Sequence, residues 1–293
     1  MRVLLTGVTG FIGSHLATYL SAKGHVVFGL IRKPIEDDEL LARLNTINLC
    51  HFNEDALVDL MAEIKPDIVI HLASLYLTVH LYNQIDSLIR SNITFPTKLL
   101  EAMSVNNVTR FINTGTSWQH YNSASYDPVN LYAATKQAFD DIIKYYTSAK
   151  GFSCITLKLF DTYGPNDTRG KLISLLDSLA QNNETLSMSA GEQTIELTHI
   201  DDVCAAYLAA IELIDKKGPD SNECYGVFSN ESYKLRELVE IYEKANDVKL
   251  NIKWGEKPYR EREVMDLCKN LQNIPKWEAK ISLFEGLKIG NRV

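Results

Sequence analysis

The sequence predicts an α/β protein built on a doubly wound parallel sheet, with a smaller mixed α/β lobe attached. Three observations carry this reading. Short apolar runs at residues 3–5, Val26–Ile31, 67–72, 110–114 and 154–160 read as strands, and helical patterns fill the gaps between them. A glycine-rich turn follows the first run directly. Beyond residue 165 the pattern changes: the segments 171–181, 185–196, 201–214 and 234–245, with a tail after 251, mix helix with short extended pieces. Because parallel neighbours need a crossover connection, this alternation implies a sheet covered on both faces, with its ligand at the carboxyl ends of the strands. Residues 1–165 are then the sheet domain and 166–293 mainly the smaller lobe, with 185–214 returning to the first. Repeats and low-complexity tracts are absent, and the polar stretch 216–222 reads as a surface loop.

Thr6-Gly7-Val8-Thr9-Gly10-Phe11-Ile12-Gly13 joins the first strand to a helix that starts near Phe11. Strand, glycine turn and helix in that order make a phosphate cradle. Gly7 allows the tight turn, Gly10 lets a pyrophosphate approach the backbone and Gly13 lets helix and strand pack closely, while the unpaired N–H groups and the positive end of the helix dipole face the anion. Thr9, Phe11 and Ile12 complete the cradle, the fold sharpens to Rossmann-type, and a dinucleotide is the predicted ligand. The second strand ends in Arg32-Lys33, where a fold using NAD tends to place an Asp or Glu on the adenosine ribose. A guanidinium makes charge-assisted bidentate bonds to a 2′-phosphate, so Arg32 favours NADP(H), with NAD(H) possible. The competing reading makes both residues simply solvated ends of a strand.

Composition narrows the partners. With 293 residues, 45% of them apolar, the chain can bury a large core. A net charge of −7 argues against nucleic acid or an anionic membrane, and no apolar run approaches the ~18 residues of a membrane span. Five cysteines, odd in number and widely spaced, read as reduced thiols in a cytoplasmic protein. The neighbouring Asp201 and Asp202 read as N-cap and first-turn residues of a helix, so no metal is predicted.

Tyr132 and Lys136 stand four residues apart in Tyr132-Ala133-Ala134-Thr135-Lys136, on one face of a predicted helix. A tyrosine near pKa 10 is a poor acid or base at neutral pH, but a neighbouring ammonium, together with the positive nicotinamide ring in the oxidised state, stabilises its phenolate and lowers that value, so Tyr132 is cast as a proton shuttle. The preceding strand ends Thr114-Gly115-Thr116-Ser117, where sites of such sheets open. Thr116 is the third catalytic candidate, a hydroxyl to steady charge on a carbonyl oxygen, and Ser117 the runner-up. His120 either points at the substrate or caps a loop.

These residues resemble the extended short-chain dehydrogenase/reductases that modify nucleotide-activated sugars. The resemblance also rests on His71-Leu72-Ala73-Ser74, on Asn92 ahead of a helix over 97–102, on the run from Lys158 through Asp161-Thr162-Tyr163-Gly164-Pro165, and on His199-Ile200-Asp201-Asp202-Val203. It implies that Lys136 also bridges the nicotinamide ribose, that Leu72 and Ala73 line the cofactor, and that the backbone from Phe160 to Thr162 meets the nicotinamide amide. It further implies that Asp161 and Ser117 face the sugar, that Arg260 holds the substrate diphosphate, and that helices carrying Leu99 and Phe139 form a homodimer contact.

Departures from the family pattern sort its members. Sugar-nucleotide dehydratases follow the catalytic Thr with Asp and Glu, and here Ser117 and Trp118 stand there, which disfavours dehydration. Epimerising members retain and reuse NAD, whereas Arg32 points to NADPH as a reductant. Ile195-Glu196-Leu197 replaces an expected Arg-Asp-aromatic run, removing one diphosphate contact. A nearer likeness, carried by residues 130–139, 161–167 and Gly191-Glu192-Gln193, is to reductases of CDP-4-keto-3,6-dideoxyhexoses in O-antigen synthesis. The expected activity is 4-keto reduction of a nucleotide sugar, CDP-linked by preference. An epimerase, an NADPH reductase of another carbonyl compound and a nonenzymatic NADP sensor are the alternatives.

Overall fold

The computed structural model of the chain describes residues 1–182 and 184–288. Its elements are β1 (Arg2–Thr6), α1 (Phe11–Ala22), β2 (Val26–Ile31), α2 (Asp38–Arg43), β3 (Asn48–His51), α3 (Leu57–Ile64), β4 (Ile68–His71), α4 (Ile85–Ile89), α5 (Phe95–Val105), β5 (Arg110–Thr116), α6 (Leu131–Lys150), β6 (Ser153–Leu159) and β7 (Asp161–Tyr163). There follow α7 (Leu172–Asn182), β8 (Thr185–Met188), β9 (Thr194–His199), α8 (Ile200–Ile214), β10 (Asn222–Val227), β11 (Ser232–Lys234), α9 (Leu235–Asn246), β12 (Asn251–Trp254) and α10 (Leu283–Gly286).

Seven parallel strands form the central sheet in the order β3-β2-β1-β4-β5-β6-β10. All five strands expected from the apolar runs are in it. The two unexpected ones, β3 and β10, are its edges, and each has an exposed start and mixed burial, so neither carries a continuous apolar run. Side chains of the inner strands alternate between two cores. Val3 and Leu5 of β1 and Ile68 and Ile70 of β4 pack beneath α1 and α8, while Leu4 and Val69 pack beneath α3, α5 and α6. Leu99 and Phe139 are buried in this second core of the chain itself. Strand order reverses between β1 and β4, so the loops after these two strands part and leave a crevice at the carboxyl edge.

Past the main sheet, β7 turns away to join β9 and β11 in a three-stranded sheet, and β8 pairs with β12. A third core, with Tyr163, Leu176, Leu197, Leu238 and Tyr242, holds these pieces against α7 and α9. The start of α8 differs from expectation: His199 is the N-cap, its ring accepting the Asp201 N–H at 3.3 Å, and both aspartates lie in the first turn. Among the described residues no helix is long and apolar enough to cross a membrane.

Candidate active site

The glycine turn adopts a conformation that side chains would destroy. Gly7 has φ +73°, and a Cβ on Gly13 would stand 2.0 Å from the Gly7 carbonyl oxygen. Gly10, extended at φ −81° and ψ 168°, caps α1, and no acidic residue occupies that helix's first turn. The free N–H groups of this helix start therefore suit an anion, with no carboxylate in the first turn to repel it. The Thr6 hydroxyl ties the turn to the end of β4, accepting the N–H groups of Leu72 and Ala73 at 3.2 Å each and meeting His71 Nδ1 at 2.8 Å.

A continuous groove runs along this edge. One half, about 450 Å³, is lined by Thr9, Gly10, Arg32, Leu72, Ala73 and Glu54 among others. Arg32 is exposed at the end of β2, and Glu54, the carboxylate in this half, is bound to Arg90 at 3.2 Å and Lys98 at 3.5 Å. The other half, about 460 Å³, is lined by Gly7, Phe11, Ile12, Gly13, Thr116, Ser117, Tyr132, Lys136, Phe160, Asp161 and Thr162 with Ser74, Tyr76, Arg169 and Lys171. Every sequence-predicted cofactor residue lines one half or the other, and the three catalytic candidates share the second. The glycine cradle and basic rim fit a dinucleotide.

Helix α6 delivers two of the three. Asn130 caps it, its side chain accepting the Ala133 N–H at 3.0 Å and donating to the Thr78 carbonyl at 3.0 Å, which fixes where the first turn meets the groove. Tyr132 and Lys136 then follow on one stripe, the Lys136 nitrogen 6.0 Å from the Tyr132 ring centre. Burial dominates both groups. It raises the Tyr132 pKa, with Tyr76 adding to the rise and the Ser74 hydroxyl opposing it, and it lowers Lys136 to about 8 against the pull of Asp140. In the chain by itself the phenol is raised where the sequence reading has it lowered by Lys136 and a nicotinamide cation, because desolvation is the largest influence. A neutral phenol is the form that donates a proton.

Asn92 supports this wall from a π-helical turn over Arg90–Thr94, the kind of irregularity that re-aims side chains at functional sites. Its amide donates to the Thr135 hydroxyl and the Leu75 carbonyl at 3.0 Å each, and its oxygen accepts from Ser74 at 3.0 Å. Thr116, at the end of β5, accepts the Trp118 N–H at 3.3 Å, and its own N–H donates to Gln119 Oε1 at 3.0 Å.

A second cavity of about 320 Å³ opens from the groove, lined by Ser117, Trp118, His120, Asp161, Glu196 and Arg260 among others. Arg260 lies 5.7 Å above the Trp118 ring and is paired with Glu263 at 3.0 Å. Asp161 is paired with Lys171 at 3.2 Å and is the sole carboxylate on the catalytic half of the groove among the described residues. His120 lines this cavity and also meets the Ala124 loop carbonyl through Nδ1 at 3.1 Å, so both features of its two readings are present. Sequence reasoning missed Arg169, whose guanidinium lies 4.1 Å over the Phe11 ring and donates to the Thr162 carbonyl at 2.8 Å. Two basic residues shortly after Gly164-Pro165 were its signal.

Residues 3–223 match the model of the NAD dependent epimerase/dehydratase family. The chain is 32% identical over 290 residues, covering 97% of both chains, to a CDP-abequose synthase of Yersinia pseudotuberculosis. It is 24% identical to a GDP-6-deoxy-D-mannose reductase of Pseudomonas aeruginosa, over 98% of this chain and 95% of that one. A UDP-glucose-4-epimerase of Stenotrophomonas maltophila, with bound NAD and formylated UDP-arabinopyranose, superposes with a TM-score of 0.87 at 18% identity, covering 98% of this chain and 96% of that one. Glycine cradle, Tyr-x-x-x-Lys stripe and full-length likeness agree: the chain belongs to the NAD dependent epimerase/dehydratase family, the extended short-chain dehydrogenase/reductases, and is an NAD(P)-dependent oxidoreductase.

Proposed function

We propose that this protein reduces the 4-keto group of a nucleotide-activated deoxyhexose with NADPH, in bacterial surface-polysaccharide sugar synthesis, and that its preferred substrate is CDP-linked. One observation carries the reading: the Tyr132 phenol, the Lys136 ammonium and the Thr116 hydroxyl line one half of the groove, where among the described residues no pair of carboxylates stands beside them for dehydration. The CDP-abequose synthase relative, similar over nearly its whole length, supports the nucleotide and the sugar class.

When bound, the nicotinamide supplies the hydride. Gly7, Thr9, Gly10, Phe11, Ile12 and Gly13 would hold the dinucleotide pyrophosphate, Leu72 and Ala73 would line the cofactor, and Arg32 would take the 2′-phosphate. Tyr132 donates its proton to the carbonyl oxygen, Thr116 steadies the charge developing there, and Lys136 offsets the phenolate left behind. The backbone from Phe160 to Thr162 would hold the nicotinamide amide. Ser117 and Asp161 face the sugar, and Arg260 holds the diphosphate. The working form is a cytoplasmic homodimer.

The test mixes purified protein with NADPH and each of CDP-, GDP-, UDP- and dTDP-linked 4-keto-6-deoxy sugars and follows NADPH absorbance. Consumption with the CDP sugar, giving a 4-hydroxy product, is expected. Interconversion of a 4-hydroxy sugar and its epimer with no net NADPH loss would replace the reductase by an epimerase.

A further inference from the structure

Beneath the groove lies a buried polar cluster to which the reaction as described assigns nothing. Asp140 follows Lys136 by one helical turn on α6, so Tyr132, Lys136 and Asp140 form a single stripe running inward. The Asp140 carboxylate accepts from Asn113 at 3.0 Å and from Gln119 Nε2 at 2.8 Å, and the Lys158 ammonium lies 3.6 Å away. Lys158 in turn reaches His120 Nε2 at 2.8 Å, and His120 lines the substrate cavity. The His120 Nδ1 faces the Ala124 carbonyl at 3.1 Å, so Nδ1 carries the proton and Nε2 accepts from the ammonium.

We infer that Asp140 is a positioning residue for the reaction, its carboxylate, one helical turn from Lys136, favouring the charged form of that lysine, with Lys158 and His120 linking that carboxylate to the substrate cavity. This rests on the reductase reading above. One buried carboxylate faces two buried ammoniums, which leaves the cluster with one surplus positive charge. That surplus offsets the phenolate formed when Tyr132 gives up its proton, and in a low-dielectric site such an offset is strong. Lys158, held at its other side by His120, shares the Asp140 carboxylate at 3.6 Å, so the field of Asp140 is divided between the two lysines. Gln119 fixes the arrangement from the other side, because its oxygen holds the Thr116 N–H while its nitrogen holds Asp140. Other ionisable groups facing the cluster are Tyr132 on α6, His71 on β4, Cys224 on β10 and, toward Tyr132, Tyr207 on α8.

The experiment follows the lysine Cε signals by NMR in protein carrying ¹³C-lysine, with Lys136→Arg assigning the resonance. The wild-type midpoint is expected at about 8. In Asp140→Asn it should fall by about one pH unit or more, and in Asp140→Glu it should return. NADPH affinity of Asp140→Asn should match wild type at acid pH, where Lys136 is charged in both, and drop ~tenfold at mildly alkaline pH. An unchanged midpoint in folded Asp140→Asn overturns the proposal. If that variant does not fold, Lys158→Met decides: removing the rival cation should raise the Lys136 midpoint, and no rise overturns the proposal. The NMR readout needs no substrate or cofactor, so failure to reduce any nucleotide sugar would sink the proposed function while leaving this result standing.

Discussion

The Tyr76 ring meets the Tyr132 ring edge-on, centroids 5.1 Å apart and planes at 80°, and Tyr76 also faces Trp118 at 5.8 Å. This aromatic wall flanks the phenol, whose pKa desolvation raises and Tyr76 raises further. Tyr132→Phe removes the proton and leaves the wall. Turnover should fall ~10²- to 10³-fold while NADPH affinity, read by fluorescence, stays within about twofold. Near wild-type turnover would remove Tyr132 from the proton-donor role.

Cofactor affinity should carry the titration of Lys136. Its pKa in the free protein is about 8, depressed by burial, so the ammonium is present below that pH and lost above it. NADPH should therefore bind with near-constant affinity at acid and neutral pH and progressively more weakly above about 8. Lys136→Met should abolish this dependence and weaken binding at neutral pH. Calorimetry across the range checks both.

Gly13→Ala tests the cradle, because a Cβ there would lie 2.0 Å from the Gly7 oxygen and 2.7 Å from its carbonyl carbon, which are backbone atoms without room to yield. Destabilisation of ~1–3 kcal/mol and loss of NADPH binding are expected. A melt unchanged from wild type would mean that the helix start relaxes freely.

Nucleotide choice turns on Arg32. Replacing it with Ala should cost NADPH affinity about tenfold or more and leave NADH affinity within about twofold, since only the 2′-phosphate is addressed by the guanidinium. Equal losses for both would assign Arg32 a general role.

Arg260→Ala should raise KM for the nucleotide sugar ~10- to 100-fold with NADPH affinity unchanged, as expected for a charged hydrogen-bond donor to a diphosphate. Binding would first require Arg260 to loosen its pair with Glu263, so Glu263→Gln should lower KM. Opposite shifts in the two variants separate a diphosphate contact from a merely structural pair.

What the sequence determined by itself was whatever local spacing encodes. The glycine turn, the four-residue step from Tyr132 to Lys136 and the apolar runs of the five inner strands are short-range patterns, and fully buried strands announce themselves by composition. The edge strands β3 and β10 did not, because half-exposed edges need no apolar run. Tertiary structure alone brought Asn92 to Thr135, Gln119 to Asp140 and Arg169 over Phe11. Those partners lie far apart in the chain, and no local period records a contact made by folding. In the chain by itself it also decided the direction at Tyr132: spacing offered a cation that lowers its pKa, but burial, which no local period records, raises it, and Tyr76 adds to the rise.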